Sequence, residues 1–331
     1  MIKDDGRIGA LLSLADERVA VAEMVSQALG CAISHFDCQV ISRPNPVHRV
    51  RRYVKHVLHR DGTVGEPIVV FVKSGLRRSL FYESLQGFLS GLELAEFRVP
   101  TFFGVLRLGP SGAKTILGVW EYIPVEGCPP DAREWGGARE AVVLAAAAMT
   151  AISEDLRQAV PKIRGDIEFV RPLAQTVEEA LANYVRRGFD LASLRPGMAK
   201  LAKFEAGALE RLSSLGDYFT HNDYRRANMF LNPGEKPVIF DWDSASLGPP
   251  GATLRFMSRL PKPEQREAAE LYCTHLRSRG LRFRPKDVLF SMRAVEVCHA
   301  LVHAARFSAA DDLAAERTFR WGLDHIHYLA A

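Results

Sequence analysis

Between Phe219 and Asp243 the chain reads FTHNDYRRANMFLNPGEKPVIFDWD, which sets His221, Asp223, Asn228, Asp241 and Asp243 between short apolar runs. Like charges this close repel, and buried carboxylates are costly unless something positive lies between them. Such a cluster points to a bound metal ion or to proton chemistry. The apolar lead-in YFT brings His221 to a turn, Asp223 follows two residues later, and Asn228 comes five residues after that. NPGEK reads as a hairpin turn and PVIFD as a buried strand ending in Asp241, so two strands joined by a tight turn set Asn228 beside Asp241. Asp223 then sits at the mouth of the loop. An amide oxygen and a carboxylate are hard ligands suited to Mg²⁺, which keeps substrate phosphates in its other positions. A further carboxylate that is not a ligand can take the proton of an attacking hydroxyl.

The elements that must hold these residues follow from the hydrophobic pattern. Residues 15–29 have helical spacing, with Gly30 as a stop. FDCQVIS, RVRRYVKHVLH, EPIVVFVK and TILGVWEYI are β-rich runs separated by turn signals, and one helix, from about Leu76 to Leu94, interrupts them before VPTFFGVLRLG. Residues 31–123 therefore predict an antiparallel sheet with one inserted helix. After the turn-rich linker EYIPVEGCPPD the pattern is mostly helical, with candidates at 137–158, 176–187, 195–215, 263–279, 285–307 and 312–329. The fold class is α+β, with domains at 1–123 and 124–331.

His221-x-Asp223 followed by Asn228, then an apolar strand ending in Asp241, resembles the catalytic and metal-binding loops of the aminoglycoside phosphotransferase and choline kinase family. That family shares the two-lobed protein kinase-like fold, with a small antiparallel-sheet lobe and a larger, mainly helical lobe. The resemblance implies that Asp223 is the catalytic base and that Asn228 and Asp241 hold Mg²⁺. It extends along the chain. VVFVK is similar to the small-lobe strand that ends in the phosphate-binding lysine, here Lys73. RRSLFYESLQGFL is similar to the next helix, with Glu83 as ion-pair partner of Lys73. VWEYIPVEG is similar to the hinge that meets adenine by backbone groups, at Glu121, Tyr122 and Ile123. Arg225 stands two residues after the base, where a guanidinium could steady the charge of the transferring phosphoryl group. The implied activity is ATP-dependent phosphoryl transfer to a hydroxyl of a small molecule of the aminoglycoside, choline-like amino alcohol or sugar class.

The chain departs from the family pattern in three places, the first being Asn222 and Arg225, which fill variable positions of the motif. SRPNPVHRVRR stands where a glycine-rich loop is expected. SLGPPGATL puts Pro249 and Thr253 where two acids usually brace the loop. Asp243 either touches a second metal or caps the next turn. A protein kinase-like enzyme is disfavoured, because D-F-G and A-P-E elements are missing. A non-catalytic nucleotide-binding protein is the other alternative, and the retained Lys73, Glu83, Asp223, Asn228 and Asp241 argue against it.

Composition sets the bounds. The 331 residues are 47% hydrophobic and 25% charged, with a net charge of +4. That charge suits an anionic ligand and does not by itself indicate nucleic acid. The basic run HRVRRYVKH alternates with Val and Tyr, as on one wet face of a sheet. The five cysteines stand singly, which favours a reducing compartment. The acidic start MIKDDGRIG argues against a signal peptide, and AREAVVLAAAAMTAISEDL reads as a packed Ala-rich helix and not as a membrane span. A cytoplasmic protein without nucleic-acid or membrane partners is expected.

Overall fold

The structure is a computed structural model that describes residues 14–42, 53–60, 66–74, 79–108, 115–123, 138–160, 163, 173–186, 195–225, 228–231, 235–307 and 313–330. Residues 43–52 of the basic turn, the linker after Ile123, Cys128, and Asp311 and Asp312 lie outside the described residues. The chain divides into two compact units, Met1–Glu93 with Arg98–Glu126, and Leu94–Phe97 with Gly127–Ala331.

In the first unit, α1 (Leu14–Leu29) precedes strands β1 (Ile33–Ser42), β2 (Tyr53–Arg60) and β3 (Ile68–Ser74); α2 (Ser79–Ser90) separates these from β4 (Phe102–Leu108) and β5 (Thr115–Glu121). The strands form one sheet in the order β1-β2-β3-β5-β4, with every neighbouring pair antiparallel. Side chains alternate across a strand. Val54 and Leu58, Val70 and Val72, and Leu117 and Val119 thus gather on one face, where Val21 and Val25 of α1 cover them. On the other face Phe71, Phe102 and Val105 surround Trp120. The Trp120 indole lies across Gly118, where a Cβ would come within 2.0 Å of the ring. Lys73 shares the parity of Phe71 and pairs across the sheet with Tyr53 and Gly118.

The second unit carries α3 (Arg139–Ala151), α4 (Ser153–Ala159), α5 (Leu173–Arg186), α6 (Arg195–Ser214), the short strands β6 (Tyr218–Thr220), β7 (Met229–Phe230), β8 (Val238–Ile239) and β9 (Ser246–Gly248), and then α7 (Lys262–Ser278), α8 (Pro285–Phe307) and α9 (Leu313–Asp324). Its core joins Val177 and Tyr184 of α5, Leu201 and Leu212 of α6, Val297 and Leu301 of α8, and Phe319 of α9. Ala145–Ala148 of α3 are fully buried, as a packed helix requires. Among the described residues one helical stretch, Pro285–Ala305, is long and apolar enough to cross a membrane by length and composition, but 72% of its apolar window is buried inside the protein, as in a core helix.

Two helices break where the periodicity suggested continuity. The 137–158 helix divides at Ile152 (φ −86°, ψ 9°). There Ser153 Oγ donates to the Thr150 carbonyl at 2.6 Å and accepts the Phe219 N–H at 2.8 Å. A serine hydroxyl offers the backbone an alternative partner, and here it ties the lead-in of the opening motif to the helix pair. The 312–329 helix gives way at His325 to a 3-10 turn, Ile326–Leu329. Leu94–Phe97 packs within the second unit. The Leu94 carbonyl accepts from Lys236 Nζ at 2.9 Å, and the Phe97 ring lies 6.2 Å from Trp242.

Candidate active site

Residues 221–225 and Asn228 lie between β6 and β7. Successive short backbone bonds link them: Asp223 N–H to His221 O at 2.8 Å, Arg225 N–H to Asp223 O at 2.8 Å, and Asn228 N–H to Arg225 O at 2.9 Å. β7 pairs with β8 in the register Met229↔Ile239 and Phe230↔Val238, and Phe240 N–H donates to the Asn228 carbonyl at 3.1 Å. That pairing sets Asn228 against Phe240, one residue before Asp241.

Asp223 has both carboxylate oxygens engaged. Arg225 Nε lies 3.1 Å from Oδ1. Asn228 Nδ2 donates to Oδ2 at 2.7 Å and to the Asp223 carbonyl at 2.9 Å. With its amide nitrogen spent this way, Asn228 keeps its Oδ1 as an oxygen donor. The Asp223 side chain is 25% exposed and that of Arg225 56%, so the carboxylate is within reach of solvent and the guanidinium projects into it. Asp241 holds a left-handed backbone (φ 62°, ψ 56°) at the start of the 3-10 turn Trp242–Ser244, a conformation that Asp and Asn tolerate better than most residues. Asn228 and Asp241 supply oxygen only, a donor set that fits Mg²⁺ and leaves room for phosphate oxygens. Among the described residues no group of three His, Cys, Asp or Glu could hold a metal unaided.

His221 is a brace. Its ring is fully buried, with Nε2 2.9 Å from the Phe240 carbonyl and Nδ1 accepting the Asp223 N–H at 3.3 Å. These partners assign the neutral tautomer with the proton on Nε2. Burial holds its pKa below the usual imidazole range, against the upward pull of Asp223 and Asp241. Trp242 packs on the ring at 4.5 Å and also stacks with Phe219 at 5.6 Å.

Sequence reasoning passed over the residues that anchor this loop. Asn222, a variable position of the motif, is left-handed (φ 59°). Its Nδ2 donates to the Ser244 carbonyl at 2.9 Å and to Ser246 Oγ at 2.6 Å, and its Oδ1 accepts from Thr220 Oγ1 at 3.0 Å. This stitches β6 to β9, a pair that no signal in the sequence announced. Tyr224 Oη donates to the Val142 carbonyl of α3 at 2.8 Å. At the departure GPPG, Gly251 N–H donates to Tyr272 Oη at 3.0 Å, and that oxygen lies 2.6 Å from Thr150 Oγ1. Gly251 has φ +85°, and a Cβ there would press on Val288 Cγ1 at 2.8 Å. Tyr272→Phe leaves this amide and the Thr150 hydroxyl buried without that partner, at a cost of about 1–3 kcal/mol. The expected result is a lower thermal midpoint; an unchanged midpoint refutes the tie.

In the first unit Lys73 is buried, 4% exposed. The sequence expectation pairs Glu83 with Lys73, but in the structure the Glu83 carboxylate accepts from Arg107 Nη2 at 2.6 Å. The reason lies in the strand order. α2 packs on β4, which carries Arg107, whereas Lys73 lies on β3, with β5 between. At the expected hinge, Glu121 N–H donates to the Thr101 carbonyl at 2.8 Å and Tyr122 N–H to the Val69 carbonyl at 3.0 Å. The Glu121 carboxylate takes both Arg98 Nη atoms, at 2.8 and 3.0 Å, and the Thr101 N–H at 3.0 Å. Burial works upward on its pKa, but the Arg98 and Thr101 hydrogen bonds outweigh it, so the carboxyl lies below its ordinary range. Lys55 Nζ sits 4.5 Å over the Tyr122 ring, and Ile123 is buried.

Residues 70–285 match the phosphotransferase enzyme family. None of the curated proteins matches the chain. Among solved structures, a microcompartment-associated aminopropanol kinase aligns with TM-score 0.56 at 15% identity, covering 93% of this chain and 94% of its own. A spectinomycin phosphotransferase in complex with ADP and spectinomycin aligns with TM-score 0.54 at 13% identity, covering 94% and 97%. A choline kinase from Cryptosporidium parvum aligns with TM-score 0.54 at 14% identity, covering 87% and 88%. These likenesses show the fold, which has an antiparallel-sheet unit and a helical unit.

Proposed function

The chain belongs to the phosphotransferase enzyme family, and from that premise we propose that it transfers the γ-phosphate of Mg·ATP to a hydroxyl of a small molecule. The acceptor belongs to the amino alcohol, aminoglycoside or sugar class, in line with the spectinomycin and aminopropanol named for similar structures. The observation that carries this reading is the Asp223 loop, where a partly exposed carboxylate is aimed by Asn228 on one oxygen and Arg225 on the other.

In this reading Asp223 orients the acceptor hydroxyl and takes its proton as the phosphoryl group moves in line. Arg225 turns from Asp223 toward the transferring group and offsets its charge. Asn228 Oδ1 and Asp241 would hold Mg²⁺, which would neutralise charge on the phosphates. Lys73 meets the triphosphate, and the segment Glu121–Ile123 meets the base. Because the Glu121 and Tyr122 amides already serve Thr101 and Val69, Ile123 N–H is the donor that this segment offers to adenine. Catalysis is then mostly positioning and charge neutralisation.

The test is an ATP-consumption screen over amino alcohols, aminoglycosides, sugars and nucleosides, run on the wild type and on Lys73→Met. Methionine keeps the buried stem and removes only the charge. The expected result is acceptor-dependent ADP release that Lys73→Met largely loses, with its thermal midpoint kept. Tight nucleotide binding with no turnover on any acceptor would favour a non-catalytic role. Unchanged nucleotide affinity and turnover in Lys73→Met would remove Lys73 from the site.

A further inference from the structure

The peptide immediately before the catalytic carboxylate is held by a side chain 33 residues downstream. Arg255 Nε and Nη2 both donate to the Asn222 carbonyl, at 3.1 and 2.7 Å. Its remaining Nη1 donates to Glu296 Oε2 at 2.5 Å. Glu296 lies in the middle of α8 with a fully buried side chain, and the Arg255 side chain is only 10% exposed. The other Glu296 oxygen takes Arg259 Nε at 2.7 Å, and the Arg259 guanidinium in turn lies 4.8 Å over the Trp321 ring. One buried carboxylate thus fixes two guanidinium groups, and one of these is spent on the catalytic loop. Buried ion pairs are weak sources of stability, because desolvation offsets their attraction. What this one supplies is geometry. A planar guanidinium presents its donors in a rigid fork, which a lysine lacks. The fork closes on the carbonyl of a left-handed residue, whose orientation decides where the next side chain points.

We propose that Arg255, set by Glu296, is a positioning residue for phosphoryl transfer: it locks the Asn222–Asp223 peptide and so aims the Asp223 carboxylate. The uncharged Pro249 and Thr253 bring no carboxylate to the same turn, and the chain anchors the loop through a carbonyl acceptor and a buried cation. Asn222 completes the lock from its own side chain, through Ser244 and Ser246. The inference rests on the phosphotransfer reading, with Asp223 as the base.

The test is Arg255→Met, in which Glu296 keeps Arg259 as a partner. The assay uses Mg·ATP and the acceptor that turns over fastest in the screen. The kcat should fall by about 10²-fold, the scale of a small misplacement at the reacting centre. KM for ATP and acceptor should stay within about twofold, as for an interaction that matters only in the transition state. Arg255→Lys should recover part of the loss. In an Asp223→Asn background Arg255→Met should cost nothing further, since the two act as a unit. An equal loss in both backgrounds, or a wild-type kcat in Arg255→Met, overturns the proposal. A readout independent of any acceptor is hydrogen exchange over 218–231. The Asp223, Arg225 and Asn228 amides should exchange faster in Arg255→Met by more than the amides of α5, which report any general loss of stability, and an increase no larger than theirs overturns the lock. Should Asp223→Asn keep wild-type transfer, the base assignment fails while the exchange result still judges the lock. If Arg255→Met does not fold, Glu296→Gln takes its place, with the same pattern expected and the same overturning results.

Discussion

Asp223→Asn is expected to abolish most phosphoryl transfer, by about 10²–10⁴-fold, the range of general-base contributions, while nucleotide affinity stays at the wild-type level. The substitution is nearly isosteric. Its amide oxygen can still accept from Asn228 Nδ2 or from Arg225, which contact the two carboxylate oxygens at 2.7 and 3.1 Å. The backbone of the loop is held independently, by His221, by Tyr224 on Val142, and by Arg255 on Asn222. The loop should therefore keep its shape, and the change isolates the chemistry. An amide cannot take the hydroxyl proton and aligns it poorly. The measurement is kcat and nucleotide Kd on one preparation. Near-wild-type transfer would show that Asp223 is not the base. Loss of nucleotide affinity with no separate loss in transfer would make it a metal or structural residue and move the search to Asp243.

The hairpin that carries Asn228 and Asp241, with Asp223 ahead of it, was legible in the sequence because its parts are local. Asp223, Asn228 and Asp241 fall within nineteen residues, and the apolar strands that hold them are short runs bounded by turn signals. The β7–β8 register follows from where those runs begin and end. The strands were legible for the same reason, since alternation and turns mark each of them, whereas the pairing of β3 with β5 across α2 and β4 is not local. What holds the loop was not legible. Arg255, Tyr272 and Glu296 reach it from far along the chain, and nothing in their neighbourhoods marks them. RAVEVCHAL reads as ordinary helical text, in which a charged residue is first assigned to solvent, and ATLRF falls in no element predicted from the sequence. Only packing turns Glu296 into the core of α8 and Arg255 onto the loop. Glu83 shows the converse. Its place on a helix after the lysine strand suggested Lys73, but which face α2 turns toward which strand is a tertiary fact, and it delivers Glu83 to Arg107. The break at Ile152 is of the same kind, since a serine that looks like helix surface proves to be the partner of the Phe219 amide.

Asp241→Asn should raise the Mg²⁺ concentration needed for nucleotide binding by more than the roughly 10–100-fold typical of changes behind a metal's direct ligands, and leave metal-independent nucleotide binding unchanged. Asparagine is the informative replacement. Asp241 sits at φ 62°, where an alanine would add left-handed strain of about 1–2 kcal/mol and blur a metal effect with a folding one. Asparagine tolerates this conformation and keeps one oxygen, so what is lost is the charge. Charge is what the site needs, because the partner donor, Asn228 Oδ1, is neutral. With Asp241 neutralised, the pair offers two amide oxygens to a cation that prefers anionic oxygen and dehydrates reluctantly. The measurement is nucleotide affinity titrated with Mg²⁺, and again in excess chelator, for the wild type and Asp241→Asn. The thermal midpoint serves as the check on folding. A wild-type Mg²⁺ dependence in the variant would take Asp241 out of the metal site. A loss that persists equally in chelator would assign it to the nucleotide or to the fold instead, because a ligand acting through the metal can have no effect when the metal is withheld.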